Sequence, residues 1–247
     1  HPVAAVHRPE RLQDHLCGGR VHVAGRLVGE EEAREVRHAD GDGGPLLLAP
    51  AMHTQMYMHP ATQANLTVLR ERGALVIGPE SGELASGGYG PGRMSDTATI
   101  VGLTMKAMGQ KGDLAGKRVV VTAGGTQEPI DPVRCVTNRS SGKMGYAIAE
   151  VCRDRGADVV LVTAPTSLRP PVGVSVVHVM TAQQMYDATR TAVESAHVLI
   201  MAAAVADYRP VNPATDKIKK ERETLTIPLE RTADILKSVA GGFIRVG

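Results

Sequence analysis

The sequence predicts an α/β protein whose second half forms a parallel β-sheet with helices on both faces. Short β-branched runs alternate there with longer amphipathic stretches, the order that such a sheet requires. The hydrophobic fraction of 43% is enough for a sizeable core, and with one Phe, five Tyr and no Trp that core must be mainly aliphatic.

Changes in pattern along the chain predict four segments. Residues 1–45 form an irregular segment, 46–108 a first α/β domain, 109–116 a polar linker and 117–247 a second domain. The first segment holds more than half of the nine histidines. Three interpretations of it stay open: a poorly packed arm, an irregular histidine metal site, or a stretch outside the natural protein through a reading-frame error.

The elements of the first domain follow from short apolar runs and glycine stops. Strands are predicted over 46–49 and 74–77, with a helix over 60–72 between them. A glycine-rich loop follows over 82–92, and then a helix over 97–108.

The second domain alternates strands and helices. Strands are predicted over 118–122, 159–163, 174–179 and 198–204. Helices are predicted over 143–155 and from Thr181 to about Ser195, the second opened by a Thr181–Gln184 capping box. The buried face of the first helix is expected to hold Met144, Ala147, Ile148, Val151 and Cys152.

Composition argues against several classes of function. A net charge of +2 gives no reason to expect a nucleic-acid partner, and no apolar stretch is long enough to cross a membrane. Three cysteines without metal-ligand spacing favour a reduced, cytoplasmic protein.

Three loops at predicted strand ends carry the candidate chemistry, since ligands of open α/β sheets bind beyond the carboxyl ends of the strands. Gly124 and Gly125 would let backbone N–H groups approach phosphate oxygens, and Thr126 adds a hydroxyl donor. Ser140 and Ser141 precede a helix whose N-terminus attracts anions. A plain turn and an ordinary helix cap are the alternatives.

The third loop contains Asp207 and, further on, the lysine cluster of residues 217–220. An aspartate at a strand end suits a ribose hydroxyl or Mg²⁺, and the lysines suit a triphosphate, although lysine runs are usually solvated. A dinucleotide is disfavoured because the long loop over 124–141 lacks the G-x-G-x-x-G turn.

Together these tracts resemble a known family. Residues 119–145, VVVTAGGTQEPIDPVRCVTNRSSGKMG, resemble the signature of phosphopantothenate–cysteine ligase. The tracts AAAVADYRP (202–210) and DKIKK (216–220) are similar to its second nucleotide block, and RTADIL (231–236) to its Asn-Pro-Asp-Ile segment. Upstream, PAMHTQMY (50–57) and ELASGGYGPGRM (83–94) resemble the flavin-dependent phosphopantothenoylcysteine decarboxylase. Their order matches the bacterial bifunctional coenzyme A enzyme.

The resemblance implies a Rossmann-like ligase domain that joins cysteine to 4′-phosphopantothenate through an acyl-cytidylate made from CTP, with Mg²⁺ offsetting the phosphate charge. By motif position, Asn138 would hold the acyl intermediate, Lys217 would neutralise phosphate charge, and Asp207 would fix the nucleotide. Phosphates would contact Gly124, Gly125, Thr126, Ser140 and Ser141. The rest of the nucleotide would border Met201, Ala202, Ala203, Thr232, Ala233, Asp234 and Ile235. No metal ligand is assigned.

The resemblance also implies FMN-dependent decarboxylation of phosphopantothenoylcysteine. Ser86 stands where the family commonly has a cysteine proton donor, and His53 replaces the asparagine of the Pro-x-Met-Asn motif. The family's N-terminal flavin-phosphate segment and its late Gly-Phe-Ala segment are missing, so we expect a chain truncated at both ends with a crippled decarboxylase half. The resemblance also implies a homo-oligomer, as in full-length relatives. The alternative to an active enzyme is an inactive remnant that only binds nucleotide or forms oligomers. An NAD(P) oxidoreductase is disfavoured because the dinucleotide fingerprint is missing.

Overall fold

A computed structural model describes residues 45–220 and 223–247. The predicted irregular segment therefore lies almost wholly outside the described residues. The chain divides between Thr104 and Met105 into two compact units, each of which is considered by itself.

The first unit contains a parallel strand pair joined by a helical crossover. Strands β1 (Leu47–Leu48) and β2 (Leu75–Val76) pair in parallel. Helix α1 (Thr54–Met58) and helix α2 (Pro60–Glu71) lie between them in sequence, and α2 buries Leu66 and Leu69. Helix α1 was not expected from the sequence. Both helices are capped by histidine: His53 Nδ1 accepts from the Gln55 N–H and His59 Nδ1 from the Ala61 N–H, each at 3.2 Å.

The predicted glycine-rich loop is largely a β-hairpin, so this expectation was wrong in part. Strands β3 (Glu80–Glu83) and β4 (Tyr89–Arg93) pair antiparallel, and only the tip between them is a turn. Gly90 and Gly92 suit strand positions because another segment comes close: a Cβ on Gly92 would lie 2.1 Å from the Met52 carbonyl oxygen. Helix α3 (Thr97–Met108) follows as predicted and spans the division between the units.

The second unit is built on a five-stranded parallel sheet, as the sequence predicted. Its strands are β5 (Arg118–Ala123), β8 (Asp158–Thr163), β9 (Ser175–His178), β10 (Val198–Met201) and β13 (Ile244–Val246). Their spatial order is β13-β10-β5-β8-β9, with every pair parallel. Strand β13 was not expected, because its short run has no lasting pattern.

Helices cover both faces of this sheet, which confirms the predicted architecture. Helix α4 (Lys143–Asp154) packs with Val119, Val121 and Ala123. Helix α5 (Ala182–Ala192) packs on the other face with Val120 and Val162, and the predicted capping box opens it. Consecutive valines of β5 therefore serve two different cores, as the alternation of side chains along a strand requires.

The buried face predicted for α4 is wrong in part, because Cys152 is buried and Ile148 packs against the core but the other three predicted residues are exposed. Met144 is 64% exposed and Val151 is 53% exposed, whereas Gly145, Tyr146 and Ala149 are buried. Gly145 explains the difference, because a Cβ there would lie 2.6 Å from the Ala123 Cβ and 2.7 Å from the Thr122 carbonyl oxygen. The helix approaches the sheet through a glycine, which counting apolar side chains cannot detect.

Four short strands, paired two by two, and one last helix complete the second unit. Strands β6 (Gln127–Pro129) and β7 (Cys135–Thr137) form one antiparallel pair. Strands β11 (Tyr208–Pro210) and β12 (Leu229–Arg231) form the other, and helix α6 (Ile235–Ser238) follows. Over the described ranges, no helix has the length and apolar character needed to cross a bilayer.

Candidate functional site

The loops that follow β5 and β10 are joined to each other through their backbones. Gly125 forms a parallel bridge with Ala204. The Ala204 N–H donates to the Gly124 carbonyl at 2.8 Å, and the Thr126 N–H donates to the Ala204 carbonyl at 3.3 Å. The strand predicted over 198–204 ends at Met201, so residues 202–204 belong to this loop junction. Two of the three predicted loops therefore meet at the carboxyl edge of the sheet.

Thr126 fastens this junction with its side chain. It is fully buried, and its hydroxyl oxygen accepts from the Ala206 N–H at 2.9 Å. Its carbonyl accepts from the Thr137 hydroxyl at 2.8 Å. The hydroxyl thus holds the β10 loop as an acceptor, because a buried N–H needs a partner, and its predicted donation to phosphate stays a prediction.

Asn138 reaches from the end of β7 to the same loop. Its side-chain Nδ2 donates to the Val205 carbonyl at 3.0 Å. A carbonyl only accepts hydrogen bonds, so this contact fixes which end of the amide faces Val205 and makes Oδ1 the outward acceptor. Asn138 itself is exposed.

The turn before α4 closes over the glycines of the first loop. The residue before α4 is Gly142, with φ 73° and no side-chain capping bond of its own. The Ser141 hydroxyl accepts from the N–H of Lys143, the first residue of α4, at 3.5 Å, as the alternative of a helix cap requires. The Ser140 hydroxyl accepts from the Gly142 N–H at 3.3 Å. A Cβ on Gly125 would lie 2.7 Å from the Asn138 carbonyl oxygen and 3.5 Å from the Ser140 Cβ. Ser141 is exposed beside them.

The residues predicted to border the base continue the β10 loop. The Ala203 N–H donates to the Thr122 hydroxyl at 3.2 Å, which ties this loop to β5. Met201, Ala202 and Ala203 are all partly exposed. They lie at the end of β10 and keep part of their surface exposed to solvent.

Asp207 and the 232–235 segment are adjacent. The Thr232 N–H donates to the Asp207 carbonyl at 2.9 Å, and the Thr232 hydroxyl donates to the Ala206 carbonyl at 2.6 Å. Asp234 caps α6 by accepting from the Lys237 N–H at 3.1 Å. Ile235 is 3% exposed and lies in the core, so its side chain is unsuited to the nucleotide contact predicted for it. Ala233 is exposed.

Lys217 is exposed, and its segment is held by residues to which the sequence reasoning gave no role. The carboxylate of Asp131, in the turn between β6 and β7, accepts from the Ile218 N–H at 3.1 Å. Arg134 Nη2 donates to the Ile218 carbonyl at 2.8 Å. The signal was present as an Asp-Pro turn start followed by an arginine three residues after the aspartate.

Glu128 is a further residue near the carboxyl edge of the sheet that sequence reasoning missed. Its side chain is buried, and Oε1 accepts from the Ala182 N–H at 2.7 Å, at the first turn of α5. A carboxylate at a helix N-terminus is favourable because the helix dipole is positive there. No local sequence pattern links residues so far apart in the chain.

The predicted decarboxylase residues lie in the first unit. His53 caps α1 through Nδ1, so in the neutral ring the proton sits on Nε2, which can donate. Ser86 is exposed at the tip of the β3–β4 hairpin. Neither position belongs to the loop junction of the second unit. Within the described part of the chain, no group of three or more His, Cys, Asp or Glu side chains is placed to hold a metal ion.

Comparisons with known proteins place this geometry in context. Residues 114–243 match the family described as "DNA/pantothenate metabolism flavoprotein C-terminal domain", and residues 33–109 match "Flavoprotein". "Coenzyme A biosynthesis bifunctional protein CoaBC" of Mycobacterium bovis is 51% identical over 201 residues, 79% of this chain and 48% of that protein. Its namesake of Escherichia coli K12 is 47% identical over 199 residues, 79% and 49% of the two chains. The chain thus spans about half the length of these relatives.

A solved structure, "Crystal structure of the C-terminal Domain of Coenzyme A biosynthesis bifunctional protein CoaBC", shares 51% identity with a TM-score of 0.44. It covers 51% of this chain and 58% of that chain.

Proposed function

Because the chain belongs to the DNA/pantothenate metabolism flavoprotein family, we propose that its second unit catalyses the CTP-dependent ligation of cysteine to 4′-phosphopantothenate. The observation that carries this proposal is the junction of the β5 and β10 loops, where Gly125, Asn138 and Ala204 are held together at the carboxyl edge of a parallel sheet. That edge is where open α/β sheets bind nucleotides.

The proposed chemistry has two balanced steps. The phosphopantothenate carboxylate attacks the α-phosphorus of CTP, forming an acyl-cytidylate and releasing pyrophosphate. The amine of cysteine then attacks the acyl carbon, loses a proton and displaces CMP. Both steps develop negative charge on oxygen, so fixed donors and cations at the site lower the barrier.

The residues divide this work by position. The backbone N–H groups of Gly124 and Gly125, with Ser140 and Ser141 ahead of α4, are proposed to contact phosphate oxygens. Asn138 would present its outward Oδ1 to the acyl intermediate. Lys217 would offset phosphate charge, and Mg²⁺ is proposed to enter with the triphosphate.

The nucleotide is proposed to extend from these phosphate contacts along the β10 loop. Met201, Ala202 and Ala203 would border the base, and Asp207 with the neighbouring Thr232 would fix the ribose. The adjacency of Asp207 and Thr232 supports this role.

Binding of CTP is the first test. Titration calorimetry of the folded chain with CTP and Mg²⁺ is expected to show one site, and absence of binding would contradict the proposal. Gly125→Ala is expected to weaken CTP binding by at least about tenfold, because its Cβ would lie 2.7 Å from the Asn138 carbonyl oxygen. Gly242→Ala is the matched control, since a Cβ there has nothing within 4 Å.

Turnover separates an enzyme from a remnant. With CTP, phosphopantothenate and cysteine present, an active ligase releases pyrophosphate and CMP in equal amounts. Binding of CTP without pyrophosphate release would favour the alternative function, a nucleotide-binding remnant.

For the first unit we propose FMN-dependent decarboxylation of phosphopantothenoylcysteine, supported by the flavoprotein match over residues 33–109. The His53 Nε2–H and the Ser86 hydroxyl are donors suited to a substrate. Two such donors do not form a cradle for a flavin phosphate, so the described residues do not by themselves fit FMN. Flavin absorbance bands in the purified protein would support the assignment, and a colourless preparation that stays colourless with added FMN would contradict it.

We also propose a cytoplasmic homo-oligomer with no nucleic-acid or membrane partner. Cys135 and Cys152, the cysteines within the described ranges, are free thiols, in keeping with a reducing compartment. Light scattering on the purified chain tests the oligomeric state, and a monomer at every concentration would contradict it.

A further inference from the structure

The turn between β6 and β7 is organised around one buried carboxylate. The side chain of Asp131 has no exposed surface and accepts five hydrogen bonds. Its Oδ1 takes the N–H groups of Val133 and Arg134, at 2.9 and 2.8 Å. Its Oδ2 takes two donors of the Arg134 guanidinium, at 3.0 and 2.6 Å, together with the Ile218 N–H at 3.1 Å.

This arrangement grips Ile218 from both sides of its backbone. Asp131 holds the Ile218 N–H and Arg134 holds the Ile218 carbonyl. The Ala214 N–H adds a third contact by donating to the Ile130 carbonyl at 2.9 Å. The segment between Ala214 and Ile218 is therefore anchored at both ends to the same turn, although it has no helix or strand of its own.

The anchored residue is the direct neighbour of Lys217. The amide that Asp131 holds is the peptide unit joining Lys217 to Ile218, so the hydrogen bond fixes the Cα of Lys217 as well. The lysine side chain itself is exposed. Fixing the backbone restricts the positions that the ammonium group of the lysine samples. Less conformational entropy is then lost when that group contacts a phosphate.

The carboxylate is suited to this task because it stays ionised. The hydrogen bonds from Arg134, followed by those from the Val133 and Ile218 N–H groups, hold the pKa of Asp131 well below its usual range. Its charge is matched by a guanidinium, so the turn carries no uncompensated buried anion.

We propose that Asp131 is a positioning residue for the ligase reaction: it fixes the backbone between Lys217 and Ile218 so that the Lys217 ammonium meets the phosphates of the nucleotide. The proposal rests on the proposed function, in which Lys217 offsets phosphate charge. Asp131 itself touches no substrate in this assignment.

Asp131→Asn is the informative variant. It keeps the size of the side chain but replaces one of the two carboxylate oxygens with an NH₂ group. The N–H donors that face this group then lose their acceptor. Asp113→Asn is the matched control, because Asp113 also pairs with an arginine, Arg155, but on an exposed surface.

Two measurements are made on the full chain. Hydrogen exchange is expected to speed up by about tenfold at the Ile218 amide in Asp131→Asn, with the amides of β5 unchanged and with no effect in Asp113→Asn. Calorimetry is expected to show about tenfold weaker binding of CTP in Asp131→Asn but little change for CMP. CMP lacks the β- and γ-phosphates whose charge Lys217 would offset.

The outcomes separate the inference from the function on which it rests. Unchanged exchange at Ile218, or equal losses of CTP and CMP affinity, would overturn the positioning role. If the unmodified chain binds no CTP, the proposed function fails, while faster exchange at Ile218 would still support the anchoring by Asp131. Loss of β5 protection in the Asn variant would indicate general unfolding and would reject a role confined to positioning.

Discussion

The two edges of the central sheet are fastened in different ways. At the amino edge, exposed ion pairs join Arg118 to Asp158 and Arg155 to Asp113, with side chains that are about half exposed. At the carboxyl edge, the ties are hydrogen bonds that the buried side chains of Thr126 and Asp131 accept and a close backbone contact at Gly125. Exposed pairs stabilise little, whereas a buried polar group left without its partner costs much more. The edge that carries the candidate site is therefore the less tolerant one.

The largest expected effect comes from filling the contact between α4 and β5. Gly145→Ala places a Cβ 2.6 Å from the Ala123 Cβ and 2.7 Å from the Thr122 carbonyl oxygen, where nothing flexible can move aside. We expect the free energy of unfolding to fall by about 1–3 kcal/mol. Urea denaturation measures it, with the exposed Ala147→Gly as a check on helix propensity alone, expected to cost about 1 kcal/mol. A stability of Gly145→Ala equal to the unmodified chain would show that α4 does not approach the sheet this closely.

The next effect concerns the Thr126 hydroxyl. Thr126→Val keeps the shape but leaves the buried Ala206 N–H without its acceptor. We expect a loss of about 1–2 kcal/mol, from the range for an unsatisfied buried donor. Thr126→Ser retains the hydroxyl and should recover much of that part of the loss. If the two variants are equally stable, the hydroxyl is not what fastens the β10 loop.

A smaller effect is expected from acid. The folded-state pKa of Asp131 lies below the ordinary value of 3.8, chiefly because of the Arg134 hydrogen bonds. Its stabilising effect is therefore complete above the unfolded pKa and is lost as pH falls through the folded pKa. The stability difference between the unmodified chain and Asp131→Asn should be constant from about pH 7 to about pH 5 and shrink below about pH 4. A difference that already narrows near neutral pH would contradict the ionised, low-pKa carboxylate.

The smallest effect is expected at the amino edge. Asp158→Asn removes the exposed pair with Arg118, and we expect a change of only about 0–1 kcal/mol, decreasing further in high salt. Thermal unfolding at low and high ionic strength checks this. A loss as large as that of Thr126→Val would mean that the two edges do not differ as described.

The sequence predicted the sheet well because its signal is local. The β-branched runs at β5 and β8 and the Thr181–Gln184 capping box need no knowledge of distant residues. The buried face of α4 was predicted only in part because its closest contact with the sheet is made by a glycine. Strand β13 was missed because three exposed residues form a strand only by pairing with β10.

The candidate site was predicted in the same uneven way. The glycine and serine tracts predicted the loops at the strand ends. In the structure a backbone bridge joins Gly125 to Ala204, and a hydrogen bond joins Asn138 to Val205. The contacts of Asp131 with Ile218 and of Glu128 with Ala182 connect residues far apart in the chain. Such pairings are set by tertiary packing, so no local periodicity could reveal them. The roles of Lys217, Asp207 and the other site residues stay predictions.

The bond from Glu128 to the first turn of α5 has a mechanical consequence. Strand β6 begins two residues after Gly125, and the Gln127 N–H also donates to the Met180 carbonyl at 2.8 Å, just ahead of α5. A shift of the glycine turn would pull on these two links together. A spectroscopic probe on the exposed Gln183 of α5 would then report events at the sheet edge without occupying it.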